Sequence, residues 1–269
     1  MGCDFGKKSI SSLMTFEPSK KKGTKPSEIP GLALWLDANQ GVQLDASSGV
    51  TQWADQAGLG SPSTPLAVQN PMGNQPPRYT PLEPLLNGRP CIHFTSPDQE
   101  LRLSGGDPGS VFATTQMSFG VVFISNRSDP QTIVSIGWNQ NPAYDPFFSL
   151  QQSESHFLSG YTHNTQTPEH RTIQAGSLIQ NRPQILISEF TYQGSTINYL
   201  NGNRGTLDNV TQYDINPATL GSIHQLKVGG EFLGKIVEVV FFQRRISNSE
   251  RKALECFWSD QYGLTSLCQ

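Results

Sequence analysis

Aromatic rings and side-chain amides are interspersed along one stretch of the chain, residues 137–166 (GWNQNPAYDPFFSLQQSESHFLSGYTHNTQ). A flat ring buries apolar area against the C–H face of a sugar, and a few oriented polar groups fix its hydroxyls. The alternative is that these rings close strand ends against the core. The stretch predicts a carbohydrate-binding site, and its candidate ligand-binding residues are Trp138, Asn139, Tyr144, Tyr161 and His163.

Carboxylates offer a second kind of chemistry. Glycoside hydrolysis needs two acids about 5–5.5 Å apart in retaining enzymes and about 6.5–9.5 Å apart in inverting ones. On one strand this requires acids two or four residues apart, and no predicted strand carries such a pair. Glu189 and Glu238 are each the only acid in their strand and could meet only from neighbouring strands. No G-x-S-x-G motif occurs. We therefore expect no enzyme, with a divergent glycoside hydrolase as the less favoured alternative.

The sequence signals for a metal-binding site are weaker. Calcium takes about six to eight oxygen ligands, and no D-x-D-x-D run or dense acidic loop is present. Asp37 and Asp55 are predicted to accept hydrogen bonds from loop amides. Asp129 and Asp145 are the remaining weak candidates for metal ligands. We expect no cofactor, with calcium kept as the alternative.

The four cysteines show no CxxC or Cys/His spacing, so a zinc site is not expected. Cys91 lies in an apolar run and is predicted to be a buried small hydrophobe. Cys256 and Cys268 could form a disulfide between a helix and the tail that follows it if the compartment is oxidising. Otherwise both remain thiols.

Charge divides the chain into two predicted regions. Residues 1–29 carry six lysines and three acids, and this basic, Ser- and Pro-rich stretch is typical of a disordered tether. Gly2-Cys3 resembles the end of a bacterial lipobox, which makes Cys3 the candidate lipidation site; an unmodified cysteine is the alternative. Residues 30–269 form the predicted domain. The net charge of −3 gives no electrostatic signature of nucleic-acid binding, and no apolar stretch approaches the ~20 residues of a membrane span.

The elements that must position these residues are short strands. Glycine and proline total 44 residues (25 + 19), and they separate alternating or apolar runs in the way that sandwiches and barrels do. The clearest runs are 32–38, 91–94, 100–103, 117–125, 132–137, 147–151, 156–162, 184–192, 195–200, 225–230 and 235–243. Residues 121–124 and 235–242 are apolar on both faces and are predicted to be central strands. Residues 195–200 alternate, so one of their faces is expected to be partly wet.

One helix and one hairpin stand out. Ser247 and Glu250 form a capping box, and Gly263 is placed to end the helix. Leu254, Phe257, Trp258 and Tyr262 share one stripe, which is predicted to pack across the sandwich. Asn201-Gly202 is predicted to be a tight hairpin turn and not a ligand site.

Four segments in this order resemble the laminin-G-like jelly-roll domains of the concanavalin A-like lectin/glucanase superfamily. They are LALWLDANQGVQLDASSGVTQWADQAGLG (32–60), LNGRPCIHF (86–94), NYLNG (198–202) and GKIVEVVFFQRRISNSERKALECFWSDQYGL (234–264). The resemblance implies an all-β, two-sheet antiparallel jelly-roll sandwich with one C-terminal helix packed on it. Members of this superfamily bind sugars, proteins or calcium, and some hydrolyse glycans.

The functional expectation follows from these points together. We predict a non-enzymatic binding or adhesion module, carbohydrate-binding in the first place, with a protein–protein or structural domain of an envelope assembly as the alternative. Its partner would be a glycan or a surface protein. Its expected location is extracytoplasmic, at a bacterial envelope or surface as a lipoprotein, with membrane contact only through the N-terminal anchor.

Overall fold

The computed structural model describes residues 23–58, 67–71, 75–104, 111–112, 114–138, 148–153, 156–159, 173–177, 179–191, 197–205, 224–264 and 268. Within this part of the chain, two antiparallel sheets pack face to face and one long helix lies on the outer face of one sheet. The predicted two-sheet sandwich with a C-terminal helix is confirmed. The lipidation candidate Cys3 and most of the predicted tether lie outside the described residues. No described helix has the length and apolar character needed to cross a membrane.

The strands are short, as their turn-rich sequence requires. In chain order they are β1 (Leu32–Asp37), β2 (Val42–Leu44), β3 (Val50–Ala54), β4 (Ala67–Gln69), β5 (Arg78–Glu83), β6 (Arg89–Phe94), β7 (Glu100–Ser104), β8 (Gln116–Ser125), β9 (Gln131–Trp138), β10 (Phe148–Ser153), β11 (His156–Ser159), β12 (Ile173–Ser177), β13 (Pro183–Thr191), β14 (Ile197–Leu200), β15 (Asn203–Arg204), β16 (His224–Gly229) and β17 (Gly234–Phe242). The helices are two 3₁₀ turns, Pro26–Glu28 and Pro84–Leu86, and α1 (Asn248–Tyr262).

The sheet beneath α1, here called the helix-side sheet, has the order β15-β14-β13-β8-β17-β6-β5. Strand β1 joins the same edge of β17 as β6, because β6 pairs with Gly234–Ile236 and β1 with residues 238–242. The opposing sheet has the order β12-β11-β10-β9-β16-β7-β4-β3-β2. Loops between the two sheets therefore gather at the two ends of the sandwich.

The helix-side sheet is buried on both faces. Along β8, Phe119, Val121 and Phe123 point into the core between the sheets, whereas Val122 and Ile124 point toward α1. A strand covered on both sides needs apolar residues at every position, and this explains the loss of alternation in β8 and β17.

Helix α1 begins and ends where its sequence predicts. The Ser247 hydroxyl accepts from the Glu250 amide at 3.2 Å, and the Glu250 carboxylate accepts from the Ser247 amide at 2.7 Å. Gly263 takes the left-handed conformation that ends the helix, at φ 73°. Leu254, Trp258 and Tyr262 are buried against the sheet. The predicted capping box and most of the apolar stripe are confirmed.

The predicted hairpin turn is confirmed. The prediction that one face of the preceding strand is partly exposed to solvent is wrong. Asn201 and Gly202 form a two-residue left-handed turn at φ 48° and 78°, and the Asn201 side-chain oxygen also accepts from the Ile185 amide at 2.9 Å. All four residues of β14 are buried, including Asn198. The reason is tertiary. The Arg251 guanidinium of α1 covers the Tyr199 ring at 3.8 Å on one face, and Leu200, on the face that carries Asn198, packs in the core between the sheets.

Gly120 in β8 allows α1 to approach the sheet. A Cβ at this position would lie 2.8 Å from Cη2 of Trp258 and 3.0 Å from Cγ2 of Val240. The indole ring of Trp258 thus occupies the space that a side chain would fill. Close packing of this kind leaves no room for an added methyl group.

We expect Gly120→Ala to lower the free energy of unfolding by about 1–3 kcal/mol, because the methyl group must displace Trp258. Urea denaturation followed by tryptophan fluorescence would measure it. Trp258→Phe shortens the ring that causes the clash, so Gly120→Ala should cost less in that background. Equal costs in the two backgrounds would contradict this packing role.

Candidate functional site

Glu189 and Glu238, the acids considered for hydrolysis, do not meet. Both face α1, but Glu189 lies opposite Ser118 and Glu238 opposite Val122 on the intervening strand β8. Four residues along that strand and two strand spacings across it place their Cα atoms roughly 16 Å apart. Paired glycosidase acids need carboxyl groups about 5–9.5 Å apart, and each of these carboxyl groups is held by a different partner. Glu189 is instead paired with Arg245 at 2.7 Å.

Glu238 belongs to a buried polar cluster beneath α1. The Trp35 indole donates to its Oε1 at 2.7 Å, and the Tyr262 hydroxyl contacts its Oε2 at 2.6 Å. Burial, and after it the nearby Asp37 carboxylate, raise the pKa of Glu238 to about 8 against the hydrogen bonds that lower it. At neutral pH this carboxyl is therefore protonated. Its position, 1% exposed, suits a structural role.

Asp37 and Asp55 hold loops, as predicted. Oδ1 of Asp37 accepts from the backbone and side-chain nitrogens of Asn39, at 2.9 and 2.7 Å. Oδ1 of Asp55 accepts from the Trp35 amide at 2.7 Å and the Ala57 amide at 2.9 Å. Each aspartate fixes an irregular backbone segment through these hydrogen bonds.

A cleft of about 670 Å³ opens at one end of the sandwich, where the β6–β7 loop meets the β16–β17 loop. We call it the loop cleft. Its polar lining consists of Gln75, Ser96, Asp98, Gln99, Glu100 and Glu231. Carboxylates and amides together can accept from and donate to the hydroxyl groups of a bound sugar.

The β16–β17 loop is shaped by its glycines. Gly229, Gly230 and Glu231 are three consecutive left-handed residues, at φ 80°, 73° and 70°. Gly229 is required here because a Cβ would lie 2.3 Å from the Phe94 ring. Phe232 then inserts into the core, where its ring meets Phe94 edge to face at 6.2 Å. Anchored on both sides, the loop presents Glu231 to the cleft.

Gln99 fixes the opposite wall of the loop cleft. Its buried side-chain oxygen accepts from the Thr95 and Ser96 amides, and its side-chain nitrogen donates to the Pro76 carbonyl at 3.0 Å. Its backbone carbonyl accepts from the Gly230 amide at 2.9 Å, which joins the two loops. The cleft is thus built on a hydrogen-bonded frame and not on one isolated loop.

The structure describes few of the residues predicted from the sequence as ligands. Asn139, Tyr144, Asp145, Tyr161 and His163 lie outside the described residues. Trp138 ends β9, where its backbone pairs with His224 at the start of β16. The loop cleft lies at the other end of β16, about 17 Å away at about 3.3 Å per residue. The structure therefore separates Trp138 from the cleft.

The remaining candidates have partners. Asp129 forms an ion pair with Arg127, whose Nε lies 2.6 Å from Oδ1. Cys256 and Cys268 are joined as a disulfide. Cys91 is a free thiol in the apolar layer under α1, and burial raises its pKa to about 12.

The Gly-Gly-Glu-Phe run at 229–232 is the one sequence signal for the loop cleft, and the sequence-based prediction did not include it.

No protein-family model and no curated protein sequence matches the chain. Its fold matches solved structures: Trypanosoma rangeli sialidase with the inhibitor DANA (TM-score 0.57, 14% identity, 90% of this chain and 36% of that one) and the botulinum neurotoxin serotype D/C binding domain (TM-score 0.58, 12% identity, 87% and 53%). A third match is a structure of botulinum neurotoxin type C, whose cell entry depends on interaction with two ganglioside molecules. Its TM-score is 0.57 and its identity 12%, over 86% of this chain and 52% of that one. The likeness is one of fold. The chain spans about a third of the sialidase and half of the toxin chains. The laminin-G-like assignment itself stays a prediction.

The raised pKa of Glu238 makes stability depend on pH. Between the ordinary value of 4.5 and about 8, the unfolded chain has lost this proton and the folded chain keeps it. The free energy of unfolding should therefore fall as pH rises through this window, by up to about 1.4 kcal/mol per pH unit from this group.

Glu238→Gln keeps the shape and removes the titration, so the difference in stability between wild type and variant should fall from pH 4.5 to 8 and level off above. Urea titrations at several pH values would measure that difference. Parallel profiles for the two proteins would show that Glu238 ionises normally.

Proposed function

We propose that this protein is a non-enzymatic binding module that recognises a carbohydrate in the loop cleft. The observation that carries the proposal is the cleft's construction: carboxylates from two loops line one cavity on a hydrogen-bonded frame. Polar groups already held in place lose little conformational freedom when they bind hydroxyls, which favours recognition of a polar ligand.

The comparisons support a sugar as the ligand class. One matched toxin structure is described with gangliosides, and the matched sialidase has been solved with sialic acid. Both are sugar ligands of proteins with a similar fold. Binding without turnover is supported by the wide separation of Glu189 and Glu238, each held by its own partner beneath α1.

A protein partner is the second candidate, and one observation favours it. Leu82 and Leu85 lie at and just beyond edge strand β5 with 72% and 42% of their surfaces exposed. Large exposed apolar side chains close together on a surface are typical of protein contacts. One matched toxin domain is solved with rat synaptotagmin II, a protein ligand. Leu82→Ser that abolishes a stable pull-down partner would support this function.

An extracytoplasmic location at a bacterial envelope is part of the proposal. The disulfide between Cys256 and Cys268 supports it, because such bonds persist mainly in oxidising compartments. The Gly2-Cys3 pair supports anchoring by acylation. Cell fractionation that finds the protein only in the cytosol would contradict this location.

The carbohydrate proposal predicts that a glycan array run with and without a chelator identifies a ligand. Asp98→Asn and Glu231→Gln together should then raise its Kd by about tenfold or more, since charged hydrogen bonds to hydroxyls become neutral ones. Isothermal titration calorimetry would measure this, and Glu28→Gln is the matched control, an exposed acid outside the cleft.

Trp138→Ala and Tyr161→Ala test the competing location. Loss of binding in these variants but not in the cleft variants would move the site away from the loop cleft. Absence of any glycan ligand would overturn the proposal, and release of reducing sugar would replace it with hydrolysis.

A further inference from the structure

Three side chains that can bind a metal meet at the C-terminal half of α1. Cys256 and Asp260 are one helical turn apart and therefore share a face, and Cys268 lies against them. The Cys268 sulfur is 3.9 Å from Oδ1 of Asp260. The three potential ligand atoms all lie within 4.8 Å of one another, and no other group of three His, Cys, Asp or Glu in the described part of the chain does so.

We propose that reduction converts this disulfide into a binding site for a thiophilic divalent cation, Zn²⁺ in the first place, with Cys256, Asp260 and Cys268 as ligands. A dithiol reductant breaks the S–S bond, becomes oxidised to its own disulfide and leaves two thiols. The cation then forms two metal–sulfur bonds and one metal–oxygen bond, and two protons leave. The site is independent of the carbohydrate proposal.

The ligand set fits zinc. Two thiolates select a soft or borderline cation over calcium or magnesium, and a carboxylate oxygen is a common third zinc ligand. Tetrahedral zinc with Zn–S bonds of about 2.3 Å separates its sulfurs by about 3.8 Å. The two sulfurs, now bonded to each other, would move apart to this separation after reduction. All three ligand atoms already lie within 4.8 Å of one another, so only local movement is required.

Accessibility also favours the exchange. Cys256 is buried, but Cys268 is partly exposed and Asp260 is exposed. A thiolate reductant can therefore attack the Cys268 sulfur and release Cys256. The exposed side of the site leaves the fourth zinc position to water. Cys268 belongs to no helix or strand, so its movement breaks no backbone ladder.

The experiment uses the full chain carrying Cys3→Ser, which removes a thiol outside the site. Protein reduced with dithiothreitol and freed of it without oxygen is titrated with Cd²⁺, followed by thiolate–Cd²⁺ absorbance and native mass spectrometry. We expect one Cd²⁺ per reduced chain and none per oxidised chain, with Zn²⁺ competing. Cys91 should not contribute, because it is buried in the apolar layer.

Two variants make the assignment specific. Cys268→Ser should abolish binding, and Asp260→Asn should weaken it by about tenfold or more, whereas Asp129→Asn should leave it unchanged. Circular dichroism checks that each variant is folded. Reduced protein that binds no more Cd²⁺ than Cys268→Ser would overturn the site. Unchanged affinity in Asp260→Asn would overturn the role of the carboxylate.

Discussion

Burial of both faces of the helix-side sheet requires polar groups between that sheet and α1 to find partners inside the protein, because burying them without hydrogen bonds is costly. The partners observed are specific. Glu238 contacts the Trp35 indole and the Tyr262 hydroxyl, and Glu189 is paired with Arg245. A helix that carries one partner of such a cluster can dock in one position only. The polar cluster therefore selects the register of α1 on the sheet, and apolar burial supplies the driving force.

The same constraint explains two local irregularities. Strand β17 contains a bulge between Ile236 and Glu238, with Val237 as the extra residue. Ile236 faces the core between the sheets and Val237 faces α1, so regular alternation would turn Glu238 toward the inter-sheet core. The bulge keeps it on the side of α1, beside its hydrogen-bond donors. Gly120 is the matching feature on β8, since its missing side chain admits the Trp258 ring.

Local patterns predicted what depends on local physics. The capping box of α1, the Asn201-Gly202 turn and the long central strands follow from interactions within a few residues. The burial of Asn198 does not. Asn198 shares the face of β14 that carries Leu200 into the core between the sheets, so its burial depends on strands that are distant in sequence. The short strands β2 to β5 were not predicted, since three to six residues give too little periodicity to recognise. The loop cleft was missed for the same reason as Asn198: Asp98 and Glu231 approach only through the fold.

Two groups of acids in this protein differ in their surroundings, and the difference bears on what the molecule can do. Those beneath α1 are buried and paired, and Glu238 is held protonated in surroundings that a substrate cannot enter without displacing the helix. Those at the loop cleft, such as Asp98 and Glu231, stand on exposed loops tied to the frame by backbone hydrogen bonds. An exposed carboxylate on a fixed loop is suited to accepting hydrogen bonds from hydroxyls. The group with perturbed protonation is thus walled off from solvent, and the solvent-facing group is arranged for contact, which favours a binding role for this fold.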